Sequence, residues 1–294
     1  MEPNPVYDYS AIVRRPKFEL PEGKKIAVYC GISIEHYAWG RPALSLAQFT
    51  AELVPDPTNY GWRDYGPRVG IFRLMEIFDR FDLKATALLN SEVCDRYPEV
   101  VEEGVKRGWT WVGHGGDNST WIVGMDHDAE RAYIEGVSER IERATGSRPR
   151  GWLGPALTES ANTNQILAEV GYDYSLNWGI DDEPVPLKVP DGSLLSVPYS
   201  TELNDLPSFV IQGQSAPDFA GALIDQFDQM LEEGEERPRV MGFGIHPFLS
   251  GQPYRARHLV RALEHMTARR DEVWFTNPDE IAAHYLVTRG AEAA

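Results

Sequence analysis

Residues 25–34 decide the fold, and they read KIAVYCGISI. The run is apolar at most positions and rich in β-branched and aromatic residues, which is typical of a strand buried on both faces of a parallel sheet. Similar short runs follow at 84–89, 109–113, 150–154, 172–178, 194–199, 239–245 and 273–276. The sequence therefore predicts seven or eight strands.

Segments with helical spacing lie between most of these runs. The clearest is 217–232, where Phe219, Leu223 and Phe227 fall on one stripe. Further helices are predicted over about 67–81, 126–144, 158–170 and 253–269. Alternating strands and helices favour a parallel sheet covered by helices, and the first run lacks the Gly-x-Gly-x-x-Gly turn of open dinucleotide-binding sheets. The expected fold class is α/β, a distorted (β/α)7–8 barrel.

The length of the chain suits one barrel, so we expect a single domain over residues 1–294. Residues 1–23 carry four prolines and little periodicity, which predicts an N-terminal arm. Three stretches exceed ordinary connections and are expected to shape a pocket: 36–65, 179–193 and 200–216. The arm and the aromatic side chains of 36–65 would expose apolar patches on a monomer, which predicts a homodimer or homotetramer.

Composition excludes several classes of partner. The formal net charge of −17 repels phosphate backbones and anionic lipid head groups, which argues against nucleic-acid and membrane binding. We find neither an apolar run of about 18 residues nor an export signal at the start, so a cytoplasmic location is expected. Cys30 and Cys94 are too few for a disulfide framework and are predicted to be buried thiols.

In a β/α barrel, active-site side chains come from the C-terminal ends of the strands, which open onto one face. Polar residues follow several predicted strands: Glu35, His36, His114, Asp117, Asn118, Asn177, Asn204, Asp205 and His246. Three of the seven histidines of the chain are among them. Because neighbouring residues of a strand point to opposite faces, Glu35 and His36 face the site together only if the strand has ended.

Five segments near these strand ends carry a family resemblance: Ser-Ile-Glu-His-Tyr (33–37), Gly-His-Gly-Gly-Asp-Asn-Ser (113–119), Arg-Pro-Arg-Gly-Trp-Leu-Gly-Pro (148–155), Tyr-Ser-Thr-Glu-Leu-Asn-Asp (199–205) and His-Pro-Phe-Leu-Ser-Gly-Gln-Pro (246–253). As an ordered set they resemble the polysaccharide-deacetylase, or NodB-like, superfamily, and more closely its allantoinase-like and cyclic-imide-hydrolase-like branch. The resemblance covers roughly residues 24–288 and implies a NodB-like barrel that hydrolyses carbon–nitrogen bonds.

The resemblance also bears on metal binding. Metal-dependent members of the family carry an Asp pair after the first strand, His-x-x-x-His after the third, and a late histidine. Here the corresponding residues are Glu35 with His36, His114 with Asn118, and His246. An asparagine amide is a poor substitute for an imidazole in a zinc site, so no cofactor is expected to be required. If a divalent metal such as zinc binds weakly, the expected ligands are Glu35, His36, His114 and Asn118.

The expected activity is hydrolysis of a non-peptide carbon–nitrogen bond in a small amide, cyclic imide or ureide. Such a reaction needs a base for water, donors for the oxyanion and an acid for the leaving nitrogen. We predict Glu35 as the base, His114 and Asn118 as donors and His246 as the acid. The residues predicted to contact substrate are His36, Asn118, Trp152, Pro155, Asn177, Asn204 and Asp205.

Two alternatives stay open. One is an N-deacetylase acting on an acetylated amino sugar or glycan, which the missing export signal makes less favoured. The other is an inactive barrel that binds carbohydrate or a partner protein, which the altered metal motif favours and the retained Glu35, His114 and His246 oppose. A covalent acyl-enzyme is not expected, because the chain lacks a Gly-x-Ser-x-Gly nucleophile turn.

Overall fold

The computed structural model describes residues 4–41 and 43–292. Its strands are β1 Ile26–Ile34, β2 Thr86–Leu89, β3 Thr110–Gly113, β4 Gly151–Trp152, β5 Tyr174–Ser175, β6 Val185–Leu187, β7 Leu194–Ser196, β8 Arg239–Ile245 and β9 Val273–Phe275. The helices are α1 Pro57–Tyr65, α2 Ile71–Arg80, α3 Val93–Arg96, α4 Pro98–Lys106, α5 His127–Thr145, α6 Thr163–Glu169, α7 Ala216–Glu233, α8 Pro253–Thr267 and α9 Pro278–Glu292. A π-helical turn, Gly66–Gly70, joins α1 to α2.

The strands form one mixed sheet in the order β6-β7-β5-β4-β3-β2-β1-β8, and β9 pairs with the first residues of β1. Neighbours are parallel except β6, which runs antiparallel to β7. The sheet curls into a half-barrel covered by helices. Its seam is bridged where the Ser200 amide donates to the Gly242 carbonyl at 3.0 Å and the Gly244 amide to the Leu203 carbonyl at 2.9 Å. The predicted α/β barrel is therefore confirmed.

Two differences from the predicted elements have physical causes. The strand β6 lies inside the predicted loop 179–193 and is short and partly exposed. Helix α1 lies inside the predicted loop 36–65 and buries the polar residues Asn59 and Arg63. A helix that turns polar residues inward has no apolar stripe, so its spacing gives no helical signal in the sequence.

The alternation of side chains along β1 sets the direction of the residues that follow it. Ile32 and Ile34 pack outward against the helices, whereas Ala27 and Tyr29 face the barrel interior. A period of two continues this pattern, so Glu35 follows the interior face and His36 the helix side. The sequence left open which of these two residues faces the site, and the alternation of side chains along β1 selects Glu35.

The barrel is filled at the opposite end by the arm. Phe18 is fully buried, and its ring lies 5.4 Å from that of Tyr285 in α9. Cys30 and Cys94 are buried free thiols, as predicted. Among the described residues, the helices are all too short or too polar to cross a membrane. The C-terminal ends of the strands are left as the face where a site can form.

Candidate active site

The Glu35 carboxylate is the centre of the site, directly after β1, with its side chain 3% exposed. Its Oε1 lies 3.4 Å from His114 Nε2 and 3.5 Å from His246 Nε2. The Asn118 side chain also donates to Oε1, and the Tyr37 hydroxyl donates to Oε2 at 2.5 Å. The structure thus brings together the three residues predicted to be catalytic, at the ends of β1, β3 and β8.

His246 is held from behind by Asp205, which is fully buried. The ring Nδ1 lies 2.7 Å from Asp205 Oδ1, and the His246 amide donates to both carboxylate oxygens, at 3.0 and 2.9 Å. Ser250 donates to the same carboxylate from its amide at 3.2 Å and its hydroxyl at 2.6 Å. These bonds fix the orientation of the ring and keep a proton on its Nδ1 atom.

Charge in this pocket is shared between Glu35 and His246. Burial alone would lower the pKa of His246, but the carboxylates of Glu35 and Asp205 raise it to about 10. Burial alone would raise the pKa of Glu35, but His246 and His114 hold it well below its usual range. At neutral pH the pair is therefore a carboxylate facing an imidazolium. Burial, followed by the nearby Glu35 charge, raises the pKa of Tyr37 well above its usual value, so its hydroxyl stays a donor.

His114 has a different support. Its Nδ1 donates to the Leu153 carbonyl at 2.6 Å, which leaves Nε2 directed at Glu35. The next amide, of Gly154, donates to Asn177 Oδ1 at 2.7 Å, and Asn177 Nδ2 donates to Glu159 Oε1 at 2.7 Å. A chain of hydrogen bonds therefore connects the half-buried carboxylate Glu159 to the His114 ring through two amide groups.

The orientation of the Asn118 amide follows from its neighbours. The His36 amide, which can only donate, bonds to Asn90 Oδ1 at 2.9 Å. Asn90 Nδ2 consequently faces Asn118 and donates to its Oδ1 at 3.0 Å. This leaves Asn118 Nδ2 as the atom turned toward Glu35. Asn118 thus presents a donor, not an oxygen ligand, to the centre of the site.

These donors do not fit a resident metal ion. His36 turns away, with Nδ1 at 3.1 Å from the Tyr97 hydroxyl and Nε2 at 3.8 Å from Glu92. The carboxylates of Glu35 and Asp205 favour the protonated form of His246, which has no free ring nitrogen for a metal, and Asn118 offers an N–H group. Within residues 4–41 and 43–292, no three His, Cys, Asp or Glu side chains are placed to hold a metal ion. Glu35, His36, His114 and Asn118, the ligands expected for a weakly bound metal, are not brought together, because His36 lies apart from the other three.

Several residues predicted to contact substrate have side chains that engage other groups of the protein. The fully buried Trp152 side chain points away from the barrel interior, into the core between the sheet and the helices, where its ring lies 5.8 Å from that of Tyr172. The oxygens of Asp205 are engaged by His246 and Ser250, so this carboxylate positions His246. His36, as described above, contacts Tyr97 and Glu92 instead.

The other residues predicted to contact substrate bond to, or pack against, protein groups around the site. Asn177 bonds to the Gly154 amide and to Glu159. Asn204 donates to the Tyr199 hydroxyl at 3.1 Å and accepts from the Leu206 amide at 3.0 Å. Pro155 is buried beside Gly115. Of the residues predicted to contact substrate, Asn118 is the one whose side chain reaches Glu35.

Sequence reasoning missed Tyr37, Asn90 and Ser250, which all support the centre. A signal existed for each of them. Asn90 is the polar residue directly after β2, a strand end that the prediction passed over. Tyr37 and Ser250 lie inside the segments 33–37 and 246–253 that carry the resemblance. The contacts of Ser250 with Asp205 cross 45 residues, however, and no local pattern predicts such a pairing.

Comparisons with known proteins agree with this geometry. The family model for polysaccharide deacetylase matches residues 60–175. A polysaccharide deacetylase homologue of Schizosaccharomyces pombe is 30% identical over 241 aligned residues, which cover 74% of this chain and 73% of the relative. The chain belongs to the polysaccharide deacetylase family. It is accordingly a hydrolase of carbon–nitrogen bonds other than peptide bonds.

Two further relatives are named for different activities. A peptidoglycan deacetylase of Helicobacter pylori is 26% identical over 297 aligned residues, covering 90% of this chain and 97% of that protein. The solved structure of the PuuE allantoinase superposes with a TM-score of 0.81 at 26% identity, covering 94% of this chain and 95% of that one. The chain is therefore similar in sequence to a deacetylase and in structure to an allantoinase.

Proposed function

We propose that this deacetylase-family chain hydrolyses a small amide, cyclic imide or ureide by acid–base chemistry between Glu35 and His246. One observation carries the proposal: a buried carboxylate and a buried imidazolium lie 3.5 Å apart at the strand ends. Two groups of opposite protonation state in one pocket are what general-base attack and general-acid departure require.

The chemistry follows from the atoms around Glu35. A carboxylate oxygen of Glu35 takes a proton from water as the water oxygen bonds to the substrate carbonyl carbon. The oxyanion that forms accepts a hydrogen bond from Asn118 Nδ2. His246 Nε2 then gives its proton to the nitrogen as the carbon–nitrogen bond breaks. The proton on Glu35 returns to His246, which restores the starting pair.

The low pKa of Glu35 would make it a weak base if the site stayed as it is. A substrate carbonyl that enters between Glu35 and His246 separates the two charges. The main interaction that lowers the Glu35 pKa is then weakened, and the carboxylate becomes a better base in the complex than in the free protein. Substrate entry itself thereby supplies part of the activation.

The geometry favours a small substrate over a glycan chain. The side chains of Glu35, His114 and His246 are each 3 to 5% exposed, so the centre is not an open groove. A cavity of about 320 Å³, lined by Trp39, Tyr60 and Arg63, is separated from Glu35 by the Tyr37 side chain. This volume suits one small molecule. Likeness to an allantoinase over most of the chain supports the same substrate class.

An N-deacetylase of an amino sugar is the second candidate, because two relatives are named as deacetylases. The same acid–base pair would hydrolyse an acetamide and release acetate. The third reading, an inactive barrel, is opposed by the complete hydrogen-bond set around Asp205 and His246. A binding protein has no need to keep an imidazolium so placed.

A substrate panel tests the proposal. The purified chain is incubated with hydantoins, cyclic imides, linear ureides, carboxamides and N-acetylated amino sugars, and ammonia, ring-opened acid and acetate are measured. We expect turnover of a cyclic imide or ureide that Glu35→Gln abolishes. Acetate release from the sugars alone would assign the deacetylase reading instead. Turnover of none of them would support the inactive barrel.

A further inference from the structure

Arg63, in the last turn of α1, is a buried cation beside the site. The residue is 6% exposed, although arginine rarely lies so deep without an anionic partner. One Nη atom donates to the Leu44 carbonyl, and the guanidinium covers the Tyr37 ring at 4.9 Å from its centre. The helix thus places a positive charge one aromatic ring away from the reacting centre.

The hydrogen-bonding capacity of Arg63 is not used up. Its Nε is buried and has no acceptor among the residues that the structure describes. Within the same described residues, no carboxylate lies within ion-pair distance of the guanidinium. The nearby Asp56 is directed at the start of α1, where it accepts from the Asn59 amide at 3.2 Å and side chain at 2.6 Å. Burial lowers the pKa of Arg63, and the more distant carboxylates of Asp56 and Glu35 offset this only in part.

Arg63 is accessible to a ligand because it lines the cavity of about 320 Å³. Arg63 lines it together with Trp39 and Tyr60, whose rings meet edge to face at 4.6 Å. Tyr37 lies between the two regions, because its ring is covered by Arg63 and its hydroxyl bonds to Glu35. One aromatic side chain therefore separates Arg63 from Glu35, which is the span of a small molecule with a polar group at each end.

We propose that Arg63 binds an anionic oxygen group of the substrate, a carboxylate remote from the bond that is cleaved. A desolvated guanidinium with an unpaired N–H gains most from a planar anion that accepts two parallel hydrogen bonds. Neutral groups would leave the buried charge uncompensated. The inference rests on the proposed function and narrows it to acidic amides and ureides.

Matched substrates test this specificity. N-Carbamoylglycine and its neutral amide, N-carbamoylglycinamide, differ at the remote group alone, and any acidic substrate from the panel is paired with its carboxamide in the same way. We expect wild-type KM to be lower for the acid. In Arg63→Gln the KM for the acid should rise about 10–100-fold, the loss expected for a charged hydrogen bond, with no change for the amide. Arg68→Gln, on the next turn and exposed, is the control.

Binding separates failure of the inference from failure of the proposed function. Affinity for the same two probes is measured by calorimetry on the wild-type and variant proteins, so no turnover is needed. Preference for the acid that Arg63→Gln abolishes would support the anion site even if the panel yields no activity. Equal affinity for acid and amide, or equal loss on both, would overturn it. Arg63→Lys, which keeps the charge without the planar fork, should retain part of the preference and serves if Arg63→Gln does not fold.

Discussion

His114 and His246 approach the Glu35 carboxylate with the same ring atom, yet the groups behind them differ. Behind His246 lies Asp205, a buried carboxylate at 2.7 Å from Nδ1. Behind His114 lies the Leu153 carbonyl, at 2.6 Å from Nδ1. A carboxylate fixes both the orientation and the charge of an imidazole, whereas a carbonyl fixes the orientation alone. The β8 side of the site is therefore built as an acid, and the β3 side as a support for the oxyanion.

Removing the charge that both histidines face should have the largest effect. Glu35→Gln keeps the shape of the side chain but cannot take a proton from water, so turnover should fall roughly 10²–10⁴-fold. The measurement is kcat on the best substrate of the panel. Glu92→Gln, a carboxylate that contacts His36 on the other face of the loop, is the matched control and should keep its activity. Equal losses in the two variants would contradict the assignment of Glu35.

The acid side is broken next. Asp205→Asn should lower kcat about 10²-fold, because the amide neither holds the His246 proton at Nδ1 nor stabilises the cation. The matched change on the other side is Asn177→Ala, which leaves the Leu153 carbonyl in place. A larger loss from Asn177→Ala than from Asp205→Asn would reverse the assignment of the two sides.

The pH dependence distinguishes the sides further. Because the His246 pKa is raised to about 10 in the free protein, the acid stays protonated through neutral pH and kcat/KM should fall only as pH rises through about 10. The same raised pKa contributes folding stability that is complete below about pH 6.5 and lost as pH approaches 10. Asp205→Asn should move the basic limb to lower pH by about 1–3 units. A basic limb that is unchanged in this variant would show that another group is the acid.

The smallest effect is expected from the hydrogen-bond chain behind His114. Glu159→Gln removes a charge that polarises the two amides between Glu159 and His114, and kcat should fall about 2–10-fold, the worth of one hydrogen bond. Glu169→Gln, an exposed carboxylate near the end of α6, is the control. No change in Glu159→Gln would show that this hydrogen-bond chain does not contribute to turnover.

Strand parity explains why the sequence predicted some of this site and not the rest. The apolar runs predict the strands. Because side chains alternate along a strand, Glu35 and His246 then face the barrel interior, as Tyr29 and Val240 do. The same rule turns Trp152 outward, although its segment matches the family. A motif gives the position of a residue along the chain but not the direction of its side chain.

Long-range pairings could not be predicted in this way. Asp205 and His246 are 41 residues apart, and nothing local to either segment predicts their contact. Arg63 was missed because α1 turns polar residues inward and so has no apolar stripe. Both features become visible only when the barrel brings the strand ends and α1 together.

The central claim is that an acid–base pair, and not a bound metal, activates the water. Elemental analysis of the purified protein, with kcat measured before and after exhaustive chelation, tests it most directly. We expect metal far below one equivalent and unchanged kcat, since Asn118 and His246 present N–H groups where ligands would be needed. Near-stoichiometric zinc, with activity lost to the chelator and recovered when zinc is returned, would contradict it.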